Sequence, residues 1–187
     1  FRTVFKVCRQ AGRHTRRLEK ARREVEAALE DMERSRIRAA EAAADERAGK
    51  METEIKRLLK KIGKFPALAD RYQKEVEALS EDSRSARGEE RREGMEPQAS
   101  ETMDMELAAY QSVEEAAREF QGRCQEMKDQ LEAEAVRLEE ISELLEEGGD
   151  GEHEENGEED ETGPDWDQIQ ELMDMVQIPE AAVQEPV

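Results

Sequence analysis

The sequence predicts an all-α protein, an elongated coiled coil or helical bundle with a helical hairpin and a disordered, acidic C-terminal tail. Three observations predict it. Charged residues make up 42% of the 187 residues and apolar ones only 36%. Globular domains average roughly 25% and 45–50%, so this chain is short of material for a rounded core. Aromatic residues, which supply much of the buried area in compact cores, reach only 4%. Apolar residues recur instead at alternating steps of three and four, which aligns them on one face of a helix.

Charge is segregated along the chain. Residues 1–23 carry nine Lys or Arg and one acid, Glu19, whereas residues 146–187 carry sixteen acids and no Lys or Arg. Such asymmetry marks two different interaction surfaces and lets the two ends attract each other. Cys8 and Cys124 form no CxxC and are too few for a disulfide framework. They read as reduced thiols of an intracellular protein, cytoplasmic or nuclear. No apolar run approaches the ~20 residues that span a bilayer, and no secretory signal is visible. The chain begins at Phe1 rather than Met, which leaves open residues upstream.

Residues 1–17 read as a basic amphipathic arm. Phe1, Val4, Phe5, Cys8 and Ala11 form one helical stripe, and Arg2, Lys6, Arg9, Arg13 and Arg16 form another. Gly12 weakens the helix locally, by about 1 kcal/mol relative to Ala. The basic stripe suits an acidic protein surface or an anionic membrane, the Phe residues favouring the membrane. An acid-free, Arg-rich start also resembles an organelle presequence. A net charge of −20 opposes nucleic-acid binding. The plain alternative is a solvated helix face.

Residues 18–62 predict the first long helix. Leu18, Ala21, Val25, Ala28 and Met32 keep the three-four spacing, and Ile37 then arrives five residues later, an expected register shift. The spacing resumes through Ala40, Ala44, Ala48, Met51, Ile55, Leu58 and Ile62. Gly63-Lys64-Phe65-Pro66 is the expected break, since Gly suits a helix end and Pro a first turn. A second helix over 66–87 follows. So short a loop joins antiparallel neighbours, giving a hairpin packed through Met51, Ile55, Leu58, Ile62, Leu68, Tyr72, Val76 and Leu79. A kinked, continuing rod is the alternative. Residues 88–99, with Gly88, Gly94 and Pro97, read as a linker.

Residues 100–147 carry the strongest pattern. Met103, Tyr110, Ala117, Cys124, Leu131, Leu138 and Leu145 fall at heptad position a, and Glu106, Val113, Phe120, Met127, Glu134 and Ile141 at d. Eleven of these thirteen positions are apolar, and heptads sustained this long argue for a coiled coil. The bulk of Tyr110, Phe120 and Met127 suits a thicker bundle or a non-identical partner, so hetero-oligomers with other coiled-coil subunits are expected over a homodimer. Cys124 at position a reads as a small buried hydrophobe.

Residues 148–163 are nearly all acid and Gly, a composition that cannot offset ordering entropy and predicts disorder. Residues 164–179 form an apolar island of Trp166, Ile169, Leu172, Met173, Val176 and Ile178, and 180–187 a disordered terminus. Trp166-Asp167-Gln168-Ile169 after an acidic run resembles the motif that docks on ubiquitin-like autophagy modifiers. Asp165-Trp166-Asp167 resembles the tryptophan-acidic motif read by kinesin light chains, although Pro164 replaces its usual aliphatic residue. Ile169, Leu172, Val176 and Ile178 resemble a leucine-rich nuclear export signal. Common to all three is an amphipathic segment that docks in a groove, on a partner or on the chain's own helices.

No catalytic, cofactor or metal constellation is apparent. His14 and His153 lack neighbours at metal-ligand spacing, and no glycine fingerprint follows a strand. The sequence therefore predicts a non-enzymatic scaffold in a larger multiprotein complex. Its alternatives are a cargo or autophagy adaptor acting through Trp166 and Ile169, and a membrane- or filament-binding regulator acting through the basic arm.

Overall fold

A computed structural model describes residues 2–92, 97–149 and 163–181. The chain is all-α, with four helices among the described residues: α1 (Arg2–Ala44), α2 (Ala48–Arg92), α3 (Pro97–Gly149) and α4 (Trp166–Met175). No strand occurs among the described residues, and no helix among them is long and apolar enough to cross a membrane.

The first reversal of the chain is not at Gly63–Pro66 but at Asp45–Arg47. Glu46 adopts φ 53 there, the left-handed conformation that usually belongs to glycine. Its N–H donates to the Ala43 carbonyl at 3.1 Å and the Arg47 N–H to the Ala42 carbonyl at 2.9 Å. This bonding pattern is a Schellman ending, with Glu46 in the glycine position. The turn was invisible in the sequence because the usual residue is missing from it.

Helix α2 runs unbroken through Gly63 and Pro66. An interior proline costs about 3 kcal/mol, through a lost hydrogen bond and a ring clash. The apolar pattern shows what offsets it. Met51, Ile55, Leu58, Ile62, Phe65, Ala69, Tyr72, Val76, Leu79, Ser83 and Ala86 keep alternating steps of four and three across the proline, and all but half-buried Ala69 are buried. Phe65, expected in a loop, is fully buried, whereas Leu68, expected in the seam, is half-buried.

Helix α1 likewise absorbs the expected separate arm. It continues from Arg2 through Gly12, and no register shift occurs at Ile37, which is 43% exposed. Met32 is followed in the seam by Ser35, then Ala39 and Ala42, all buried. A buried serine carries the repeat where an apolar residue was sought. The linker predicted over 88–99 is narrower, since α2 extends to Arg92 and α3 starts with Pro97, a residue well suited to a first helical turn. Helix α3 also extends past the expected end at 147, to Gly149. The acidic stretch 150–162 and residues 182–187 lie outside the described residues, as do the disorder expected there and His153.

Contacts divide the chain into two compact units, Phe1–Val25 with Pro66–Glu126, and Glu26–Phe65 with Met127–Val187. In the first unit α1 runs antiparallel to α2, with Glu24 paired to Arg71 at 2.7 Å and His14 to Asp82. Helix α3 is parallel to α1, with the Tyr110 hydroxyl donating to the Val7 carbonyl at 3.2 Å and Arg22 stacked 4.4 Å from the Phe120 ring centroid. Tyr72 meets Phe120 edge-on, with centroids 4.9 Å apart.

In the second unit, Leu29, Met32, Ala39 and Ala42 of α1 are buried with Met51, Ile55, Leu58 and Phe65 of α2 and Leu131, Leu138 and Ile141 of α3. Burying a Leu, Ile or Phe side chain contributes about 1.5–3 kcal/mol. The alanine-rich end of α1 adds less, but its small side chains let other elements approach closely.

Candidate interaction site

The predicted α3 seam is occupied by the chain's own helices. Tyr110, Ala117, Phe120, Cys124, Met127, Leu131, Leu138, Ile141 and Leu145 are all buried, and Val113 is half-buried. Each packs within its own unit, the first four and Val113 in one and the last five in the other. In this chain α1 and α2 supply the neighbours of that stripe. Burial pushes the Cys124 thiol up to about 11 and the Tyr72 and Tyr110 phenols up to about 12, so all three are neutral near pH 7.

Helix α4 forms the most developed site. Asp165 caps it, its carboxylate accepting from the Gln168 N–H at 3.2 Å, which satisfies one of the donors left over at a helix start. Ile169, Met173 and Val176, at steps of four and three, are 0–1% exposed. Trp166, Leu172 and Ile178 are half-buried. The apolar island thus docks on the second unit of its own chain. Two side chains of that unit and of α4 fix the helix lengthwise. Gln170 donates to the Ala43 carbonyl in the last turn of α1 at 3.0 Å, and Arg137 of α3 donates to the Met175 carbonyl at 3.1 Å. Arg137 is held by Glu134 at 2.8 Å, so an acid that breaks the heptad rule positions the cation at the negative end of α4.

The entry to α4 depends on one glycine. A Cβ at Gly148 would lie 2.5 Å from Pro164 Cα, closer than any side chain tolerates. Gly148 is therefore a point of close backbone approach at the end of α3, rather than a helix breaker. Beyond α4, Ile178, Pro179 and Ala181 return along α1, leaving a cleft of about 510 Å³ against Glu26, Leu29, Glu30 and Arg34. Asp165, Asp167, Glu171 and Asp174 all face solvent, so α4 has an apolar inner face and an acidic outer one.

The basic stripe is an exposed surface: Arg2, Lys6, Arg9, Arg13 and Arg16 all face solvent. The apolar face predicted beside it is rotated. Val4, Val7 and His14 are buried, whereas Phe5 is 66% exposed and Cys8 only half-buried. Burial, with the hydrogen bond and charge of Glu106, raises the Cys8 thiol above its ordinary value. Among the described residues no cluster of His, Cys, Asp or Glu could hold a metal ion.

Sequence reasoning missed Ser35, His14, Arg137 and Gln170. Ser35 and His14 sit at steps of seven from apolar seam residues, and that spacing was the available signal. Arg137 carried a weaker one, three residues after the out-of-place Glu134. Gln170 carried none. The fold and these surfaces define an all-α protein in which one amphipathic segment docks on longer helices. No family model, curated protein or solved structure matches the chain.

Proposed function

We propose that the chain is a non-enzymatic assembly subunit of a larger multiprotein complex, of the cytoskeletal, kinetochore-like, tethering or transport kind. The single observation that carries this reading is the seating of α4, since the second unit recognises an amphipathic helix through three apolar anchors and a cation at its carboxyl end. A surface that binds one such helix in this way suits helix-in-groove recognition generally. With the heptad stripe of α3 filled from within, partners meet outer faces and the α4 region instead.

Affinity purification of the whole chain with cross-linking mass spectrometry tests the proposal. Reproducible cross-links to other helical chains are expected. A chain that is recovered alone from every extract overturns it.

A second reading, a cargo or autophagy adaptor recruiting through Trp166 and Ile169, is favoured by the half-exposed Trp166. Ile169 is fully buried, so recruitment of that kind requires α4 to leave its site first. A third, a membrane- or filament-binding regulator, draws on the exposed basic stripe.

A further inference from the structure

In the first unit, one face between α1 and α3 lies open. Glu114 of α3 accepts a hydrogen bond from Ser80 of α2 at 2.7 Å, which places that side of α3 against α2. The opposite side of α3 carries Met105, Ala109 and Ala116, all exposed, with Met105 at 70%. The Tyr110 hydroxyl of α3 donates to the Val7 carbonyl of α1 at 3.2 Å, and the next residue, Cys8, faces Glu106, so α1 and α3 touch along this line. Phe5 and Gly12 stand one turn either side of Cys8 on the same stripe. Phe5 and Met105 therefore flank a shallow trough along this line, with Cys8, Gly12 and Ala109 in it and the half-buried Glu106 carboxyl tied to Cys8 at its base.

Its border on α1 is cationic. Arg9 sits 5.7 Å from the Phe5 ring centroid, and Arg16 lies back on the Gly12 carbonyl at 3.2 Å. Two large exposed apolar side chains beside an arginine rim make a surface that a lone exposed residue does not.

We infer that this trough docks an acidic amphipathic helix of a partner protein. Charge complementarity selects the acid, and the trough between two helices selects a rod. A planar anionic bilayer fits less well, because contact with Met105 also brings the carboxylates of Glu101, Asp104 and half-buried Glu106 against it. A helix about 10 Å wide can lie toward α1 and avoid the first two. Naming a helix as the occupant rests on the assembly reading above.

The test uses the full chain and a labelled peptide with the sequence of residues 164–181, an acidic amphipathic segment that forms a helix when seated, followed by fluorescence anisotropy at low salt. Saturable binding is expected. Phe5→Asp with Met105→Asp should weaken it at least about tenfold, as should Arg9→Glu with Arg16→Glu, on the scale of lost anchors at an interface. Phe5 and Met105 are exposed, so circular dichroism should show these variants folded. Binding unchanged by either pair overturns the proposal, because the peptide is then exchanging elsewhere. Absence of peptide binding overturns it too, and if phosphatidylserine vesicles sediment the chain instead, the surface belongs to a membrane. Partners that stay cross-linked to the Phe5 and Met105 variant sink this surface alone, whereas a chain with no partners sinks the assembly reading.

Discussion

The Nζ of Lys61 donates to the Oγ of Ser35 at 2.7 Å, joining α2 to a fully buried hydroxyl in the seam of the second unit. The same ammonium reaches Asp31 at 3.0 Å, whose carboxyl is held below its ordinary range chiefly by that hydrogen bond. Lys61→Met should cost about 1–3 kcal/mol, because it strands a buried hydroxyl. In a Ser35→Ala background the same change should cost much less, since no buried donor or acceptor remains to be paired. Equal losses in the two backgrounds, measured by urea denaturation, would show that the pair is uncoupled.

Backbone strain is stored at Glu46. A side-chain-bearing residue in the left-handed region costs about 1–2 kcal/mol, part of which glycine returns through its greater unfolded-state entropy. Glu46→Gly should raise stability by about 0.5–1 kcal/mol, and β-branched Glu46→Val should lower it. A loss on Glu46→Gly contradicts the turn described for Asp45–Arg47.

Pro66 lies inside α2 rather than before it. Pro66→Ala should therefore stabilise the chain, by up to about 3 kcal/mol, with little change in circular dichroism. Were the chain broken at Gly63–Pro66, the proline would sit in a loop and its removal would bring no gain.

These two sites also show what the sequence discloses. Period was legible nearly everywhere: the α3 positions from Met103 to Leu145, and the α2 positions on both sides of Pro66, are the ones found buried apart from half-buried Val113, Leu68 and Ala69, and the intermediate Glu106. Punctuation was not. Gly63 and Pro66 outvoted a periodic pattern that ran through them, because local propensity is weak against a buried stripe. The reverse happened at Glu46, where tertiary packing imposed a turn on a residue that does not favour one. Polar seam residues hid the α1 register for a related reason, since Ser35 is acceptable inside only with Lys61, and Lys61 lies 26 positions away. The docking of α4 could be foreseen as a choice between its own helices and a partner's, but Arg137 and Gln170, which fix it in place, declare nothing until the fold brings them together.

Trp166 is the only tryptophan and reports on α4. Ile169→Asp places a charge in a fully buried position, a change that costs far more than ten residues of helix can return. The segment should detach and the Trp166 emission should shift to the red, while helicity falls by no more than α4 itself. An unshifted spectrum would mean that Ile169 does not hold α4 in place.

Alkaline pH should destabilise the fold through three neutral groups. Cys124 ionises near 9.0 in the unfolded chain and near 11 when folded, desolvation being the main cause. Tyr72 and Tyr110 move from 10.0 to about 12, again chiefly through burial. Below pH 9 both states keep these protons, so the contribution is complete. From there upward the unfolded chain releases them first and stability falls until the folded groups also ionise. Denaturation midpoints between pH 8 and 12 should decline, and Cys124→Ala should flatten the first part of the fall. A midpoint independent of pH in that window would show that these side chains are solvated.

The Ala43 carbonyl accepts two hydrogen bonds, from the Glu46 amide at 3.1 Å and from Gln170 at 3.0 Å. One oxygen thus serves both the local reversal of the chain and a helix 127 positions later. Backbone protection at Glu46 and Arg47 becomes an indirect gauge of whether the far end of the polypeptide is seated: deuterium should enter those two amides faster whenever α4 is away. A proteolytic clip anywhere between α3 and α4 leaves α4 held only by its non-covalent contacts, and the exchange rate at this turn would record how long it stays.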